Sequence, residues 1–122
     1  MGLVEVWEES READMVYSWE ELQRRVAPVA RKHCIRRIFI FGSYARGEAT
    51  EDSDVDILVD KEGVQAKGLQ WGGIYSDFTE ALGKDVDMLT SYVLDAPGTH
   101  PLNRQLVSQI RKEMRVLYAD HG

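Results

Sequence analysis

The chain has 122 residues, 43% hydrophobic and 30% charged, with a formal net charge of −6 and one cysteine. That length closes one core but leaves no room for separate catalytic and acceptor-binding domains, so a large substrate meets an open face or arrives with a partner. The acidic balance argues against a sequence-independent grip on nucleic acid, which rests on many Lys and Arg, and no apolar run nears the roughly 20 residues of a membrane helix.

The opening MGLVEVWEES is acidic and lacks a basic segment followed by an apolar stretch, so no secretory signal is expected; Val6 breaks the myristoylation pattern begun by Gly2. A lone Cys34 permits no internal disulfide, and a reducing cytoplasm is the expected setting. Residues 1–14 carry no period and read as an extension, with an annexed strand as the alternative, ahead of a single domain over 15–122.

From Ser18 the pattern is helical. Ser18 and Glu21 have capping-box spacing, and Trp19, Leu22, Val26, Val29 and Ala30 share one face, with a kink or break expected at Pro28. IRRIFIF at 35–41 reads as a strand covered on both faces and ended by Gly42. Ser43 to Arg46 fits one or two helical turns closed by Gly47. After an acidic loop, DVDILVD alternates polar and apolar as a second strand. KEGVQAKGLQWGG is a glycine-rich loop whose end starts a helix carrying Trp71, Ile74, Phe78, Ala81 and Leu82 up to Gly83. VDML at 86–89 is a short third strand, DAPGTHP a turn, and Pro101 opens a last helix with Leu102, Leu106, Ile110 and Met114 on one face. The closing VLY at 116–118 is a strand or a docked tail. The order predicts a small α/β (α+β) protein with one sheet flanked by helices.

The chemistry concentrates in FGSYARGEATEDSDVDILVD, residues 41–60. Residues two apart on a strand share a face, so Asp54 and Asp56 set two carboxylates within about 7 Å. Asp87 holds the same kind of position on the third strand. Three convergent carboxylates suit Mg²⁺, which takes a few carboxylates, waters and phosphate oxygens, and two such ions roughly 4 Å apart can hold both oxygens of a phosphoryl displacement. Gly42 lets a phosphate approach the backbone N–H groups, and Ser43 adds a hydroxyl. Arg46 is placed either to reach a phosphate or to pair with surface acids. Glu51 and Asp52 read as solvated surface, and Asp85 as a surface acid. Taken singly, Gly42 and Ser43 could be a turn residue and an N-cap. DSDVD also imitates an EF-hand start, but Ile57 stands where the turn needs glycine and Gly63 where a bidentate glutamate is needed. The combination carries the signal: Gly-Ser, ten residues, then Asp-x-Asp occurs in about one random chain of this length in a thousand.

At these residues the sequence resembles the nucleotidyltransferase superfamily that includes DNA polymerase β, and in particular its minimal nucleotidyltransferase (MNT) branch. LGKDVDML is similar to the branch's third-carboxylate strand and IRKEMRVLYAD to its C-terminal helix and tail. The likeness runs from about Trp19 to Asp120. It implies a mixed sheet flanked by helices, two Mg²⁺ ions, and transfer of a nucleoside monophosphate from a triphosphate with release of pyrophosphate. Asp54, Asp56 and Asp87 would bind metal and do the catalytic work, Asp87 helping to activate the acceptor hydroxyl, while Gly42 and Ser43 would hold the β and γ phosphates. Short stand-alone members of this size resemble MntA-type antitoxins, which add AMP from ATP to a tyrosine of a HEPN-domain (HepT-like) toxin. The alternatives are an antitoxin acting by occlusion with little catalysis, and nucleotidyl transfer to a small molecule or an RNA end.

Overall fold

The computed structural model describes residues 16–95 and 101–120. The extension at 1–14, most of the turn at 95–101, and two histidines, His100 and His121, lie outside them. Helix α1 (Trp19–Lys32) starts as its cap predicts, the Ser18 hydroxyl accepting the Glu21 N–H at 3.1 Å. The Glu21 carboxylate pairs with Arg24 and Arg25. Contrary to the expected break, α1 runs through Pro28. That proline removes one N–H donor but sits exposed, while Leu22, Val26, Val29 and Ala30 anchor the opposite face.

The chain continues through β1 (Arg37–Phe41), α2 (Gly42–Arg46), β2 (Val55–Val59), α3 (Gln70–Leu82), β3 (Val86–Thr90), α4 (Tyr92–Asp95), α5 (Pro101–Glu113) and β4 (Arg115–Ala119). The VLY tail is thus part of a strand, and α4 adds a helical turn that the sequence pattern did not reveal. The sheet order is β3-β2-β1-β4, with β1 antiparallel to β2 and β4, and β2 parallel to β3. A parallel pair needs a crossover, and α3 supplies it.

Strand alternation divides the sheet into two unequal faces. Val55, Ile57 and Val59 join Ile38, Ile40 and the apolar faces of α1 and α3 in the main core, where Phe78 and Leu82 are fully buried. Each such side chain contributes about 1.5–3 kcal/mol by leaving water. The other face holds a smaller cluster of Phe41, Leu58 and Ile110, flanked by Phe39, Leu89, Val93, Leu94 and Met114. Here α5 is rotated from its expected stripe: Val107 and Ile110 are buried, whereas Leu106 is 49% exposed. The Leu102 side chain lies outside the described residues. Among the described residues no helix is long and apolar enough to cross a membrane.

Candidate active site

Asp56 lies at the centre of the smaller face's open end. Its register partners are Phe41 on β1 and Asp87 on β3, so one cross-section of the sheet brings the end of the Gly-Ser strand and two acidic strand positions side by side. Asp54, one residue ahead of β2, is exposed and aims to the same face by alternation. Neighbouring Val55 is held in line by its N–H to the Asp85 carbonyl at 3.0 Å, and the Asp85 side chain faces solvent.

Gly42 is required twice over. Its φ is +71°, and a Cβ there would stand 2.0 Å from Asp56 Oδ2, so only a residue without a side chain lets that carboxylate lie against the turn. Gly47 ends α2 with φ +75°, as its position predicts, and buried Tyr44 fixes the helix to the core, its hydroxyl accepting the Tyr17 N–H at 3.3 Å. Gly42, Ser43 and Arg46 therefore share one short, anchored turn beside Asp56.

Burial, followed by the charges of Asp87 and Asp54, pushes the Asp56 carboxyl up to about 6 from an ordinary 3.8. The nearby Arg46 offsets this only partly. A carboxylate that is partly desolvated and faced by like charges is relieved by a cation. Among the described residues no three His, Cys, Asp or Glu side chains close around a point where an ion could sit. An oxygen-only set of this kind nevertheless fits Mg²⁺, which keeps several waters and completes its shell with substrate phosphate oxygens instead of a protein cage.

Arg46 pairs with acids, the second of its two alternatives. Its Nη1 donates to both carboxylate oxygens of Glu113 at 3.1 Å, and Glu48 lies 3.4 Å from its Nε. Glu113, at the end of α5, escaped the sequence reading. The available signal was an acidic residue at a helix C-terminus, where the backbone dipole disfavours it, directly after Arg111 and Lys112. His33 lies 2.7 Å from Asp77, whose carboxyl it holds below the usual range.

Two of the cavities that open on the surface differ in their bearing on the site. One of about 450 Å³, lined by Lys32, His33, Cys34 and Gly63–Ala66, includes none of these carboxylates. The other, about 430 Å³, is bordered by Glu51, Asp54, Lys84 and Asp85 and adjoins the site. Despite its smaller size it is the cavity relevant to the chemistry, because Asp54 forms part of its wall.

Residues 24–120 match the family described as polymerase beta nucleotidyltransferase. The protein adenylyltransferase MntA of Thermococcus cleftensis is 70% identical over 73 residues, covering 60% of this chain and 73% of that protein. A solved structure described as a minimal nucleotidyltransferase is 31% identical with a TM-score of 0.55, covering 81% of this chain and 95% of that one. The MNT antitoxin fold also recurs in a complex with a tri-AMPylated Shewanella oneidensis HEPN toxin, at 18% identity and a TM-score of 0.57 over 84% of this chain and 74% of that one. With its Gly-Ser turn beside Asp56 and a match over most of its length, the chain belongs to the polymerase β nucleotidyltransferase family and is a nucleotidyltransferase.

Proposed function

We propose that this nucleotidyltransferase is a Mg²⁺-dependent protein adenylyltransferase that moves AMP from ATP to a tyrosine of a HEPN toxin, acting in the cytoplasm as that toxin's antitoxin. The observation that carries this reading is the Asp56 carboxylate lying against Gly42 and in register with Asp87, an arrangement suited to holding a metal beside a bound phosphate. The kinship with an adenylyltransferase and the fold shared with an antitoxin bound to an AMPylated HEPN toxin support the reading.

In this reading Asp54, Asp56 and Asp87 hold the metal. When bound, Mg²⁺ supplies charge neutralisation for the carboxylates and the triphosphate and polarises the α-phosphate. The Gly42 N–H, the Ser43 hydroxyl and the Arg46 guanidinium hold the β and γ phosphates, fixing the leaving group in line. The acceptor oxygen bonds to the α phosphorus as the bond from that phosphorus to the pyrophosphate oxygen breaks. Asp87, exposed at the edge of the site, takes the acceptor's proton. The leaving pyrophosphate carries away the electron pair. The acceptor approaches by the cavity next to Asp54, open to a loop from a partner protein.

Incubation with α-labelled ATP, Mg²⁺ and a HEPN-domain toxin tests the proposal. One tyrosine of the partner should acquire AMP, and the toxin should lose activity. An intact partner that stays unlabelled, or rescue that persists with Asp54→Asn, would favour occlusion instead.

A further inference from the structure

The carboxylate of Glu113 sits where a nucleotide phosphate would bind. Glu113 is the last residue of α5, more than sixty positions from the Gly-Ser turn in sequence, yet its side chain is only 13% exposed and turns inward against α2. Arg46 grips both of its oxygens, and the Gln109 side-chain amide one turn back donates to Oε1, while the nearby Gly42 backbone N–H adds a small pull toward the charged form. Those contacts, led by Gln109, hold the carboxyl below its ordinary range, so it is an anion. Its charge also adds to the repulsion felt by Asp56.

Local helix energetics give no reason for this placement, since a negative charge at a helix C-terminus is disfavoured. A fourth carboxylate facing three others adds further cost. What the arrangement achieves is a two-oxygen partner for the Arg46 Nη1, whose guanidinium otherwise has only the longer Glu48 contact, and an anion placed beside the Gly42 amide. Charge-assisted hydrogen bonds of an oxyanion to backbone N–H and to guanidinium are interchangeable between carboxylate and phosphate.

We propose that Glu113 is an internal phosphate surrogate: in the nucleotide-free protein it occupies the Arg46 guanidinium beside the Gly42 amide, and the triphosphate must displace it to bind. The proposal rests on the assignment of these donors to phosphate in the preceding reading. The Glu113-occupied form is binding-incompetent, so the observed affinity is reduced by the fraction of molecules in which the cradle is open. Glu113 touches no reacting atom and sets the cradle's availability, while Gln109 holds Glu113 in place.

Calorimetric titration of the full chain with a non-hydrolysable ATP analogue and Mg²⁺, and separately with inorganic tripolyphosphate, provides the test. Glu113→Gln, which removes the charge and keeps the shape, should tighten both ligands by about five- to ten-fold. Gln109→Ala, which loosens Glu113 without deleting it, should give a smaller gain in the same direction and serves as the deciding variant if Glu113→Gln does not fold. Unchanged or weaker binding would overturn the proposal, as would tighter binding of the ATP analogue with none for tripolyphosphate. If wild type binds the analogue but the variants bind no better, only the surrogate role fails; if neither wild type nor variants bind it, the nucleotidyl-transfer reading fails too.

Discussion

Asp56 and Asp60 lie on the same face of the β2 line, on either side of Leu58, and their surroundings are opposite. Asp60 is 4% exposed, paired with Arg37 through Nε at 2.9 Å and Nη2 at 2.7 Å, and accepts the Glu62 N–H at 3.1 Å. Asp56 is only partly buried, faces Asp87 and Asp54, and is pushed up to about 6. One carboxylate is fully satisfied by the protein, and the other faces like charges. A group kept in an unfavourable electrostatic setting within a cleft marks function more reliably than a buried ion pair, which is common structural hardware.

The comparison breaks most visibly in activity. Asp56→Asn should lower nucleotidyl transfer by about a hundred-fold or more if Asp56 holds the metal as proposed, because it removes a charge from that site; transfer rates on equal amounts of folded protein check this. Gly42→Ala pushes a Cβ onto Asp56 Oδ2 at a backbone angle that L residues rarely adopt. A displacement on the order of 1 Å in the site should lower the transfer rate about ten- to a hundred-fold, with the circular dichroism spectrum retained.

Asp60→Asn should behave in reverse. It breaks a buried pair, but Arg37 is 55% exposed and can rehydrate, so the loss falls to about 1–3 kcal/mol in denaturant melts while transfer per folded molecule is kept. A drop in transfer without a drop in stability would erase the contrast between the two aspartates.

The smallest effect is in the pH dependence of stability. Asp56 has a folded pKa of about 6, above an unfolded 3.8, so the folded state holds its proton more tightly. Its contribution is therefore favourable at low pH, falls as pH rises across that window, and stays unfavourable above it. The whole shift would correspond to about 3 kcal/mol, and solvent screening of this partly exposed carboxyl lowers that to about 1 kcal/mol. In chelator-treated protein, Asp56→Asn should be more stable than wild type by about that amount at pH 7–8, with the difference vanishing near pH 4. Melting temperatures across the range supply the measurement, and a constant difference would sink the assignment.

Much of the site was legible because its signals are local. Strand alternation alone puts Asp54 and Asp56 on one face, and the Gly42 and Gly47 turns follow from residue type. Pro28 does not break α1 because a proline's cost is local while the stripe of Leu22, Val26, Val29 and Ala30 that outweighs it acts through packing. The α5 stripe was misread for a related reason: Leu106 and Val107 are both apolar, and only the sheet surface beneath the helix selects Val107.

The sequence by itself determined the first three strands, the longer helices, the glycine turns at 42 and 47 and the acidic positions of β2 and β3, since these depend on backbone sterics and short-range periodicity. The tertiary structure alone decided that β3 lies parallel to β2 with Asp87 opposite Asp56, that β4 borders β1, and that Glu113 reaches the Gly-Ser turn. Those pairings join residues far apart in the chain. They are selected by burial of both sheet faces at once, a constraint that exists only after the chain has closed on itself.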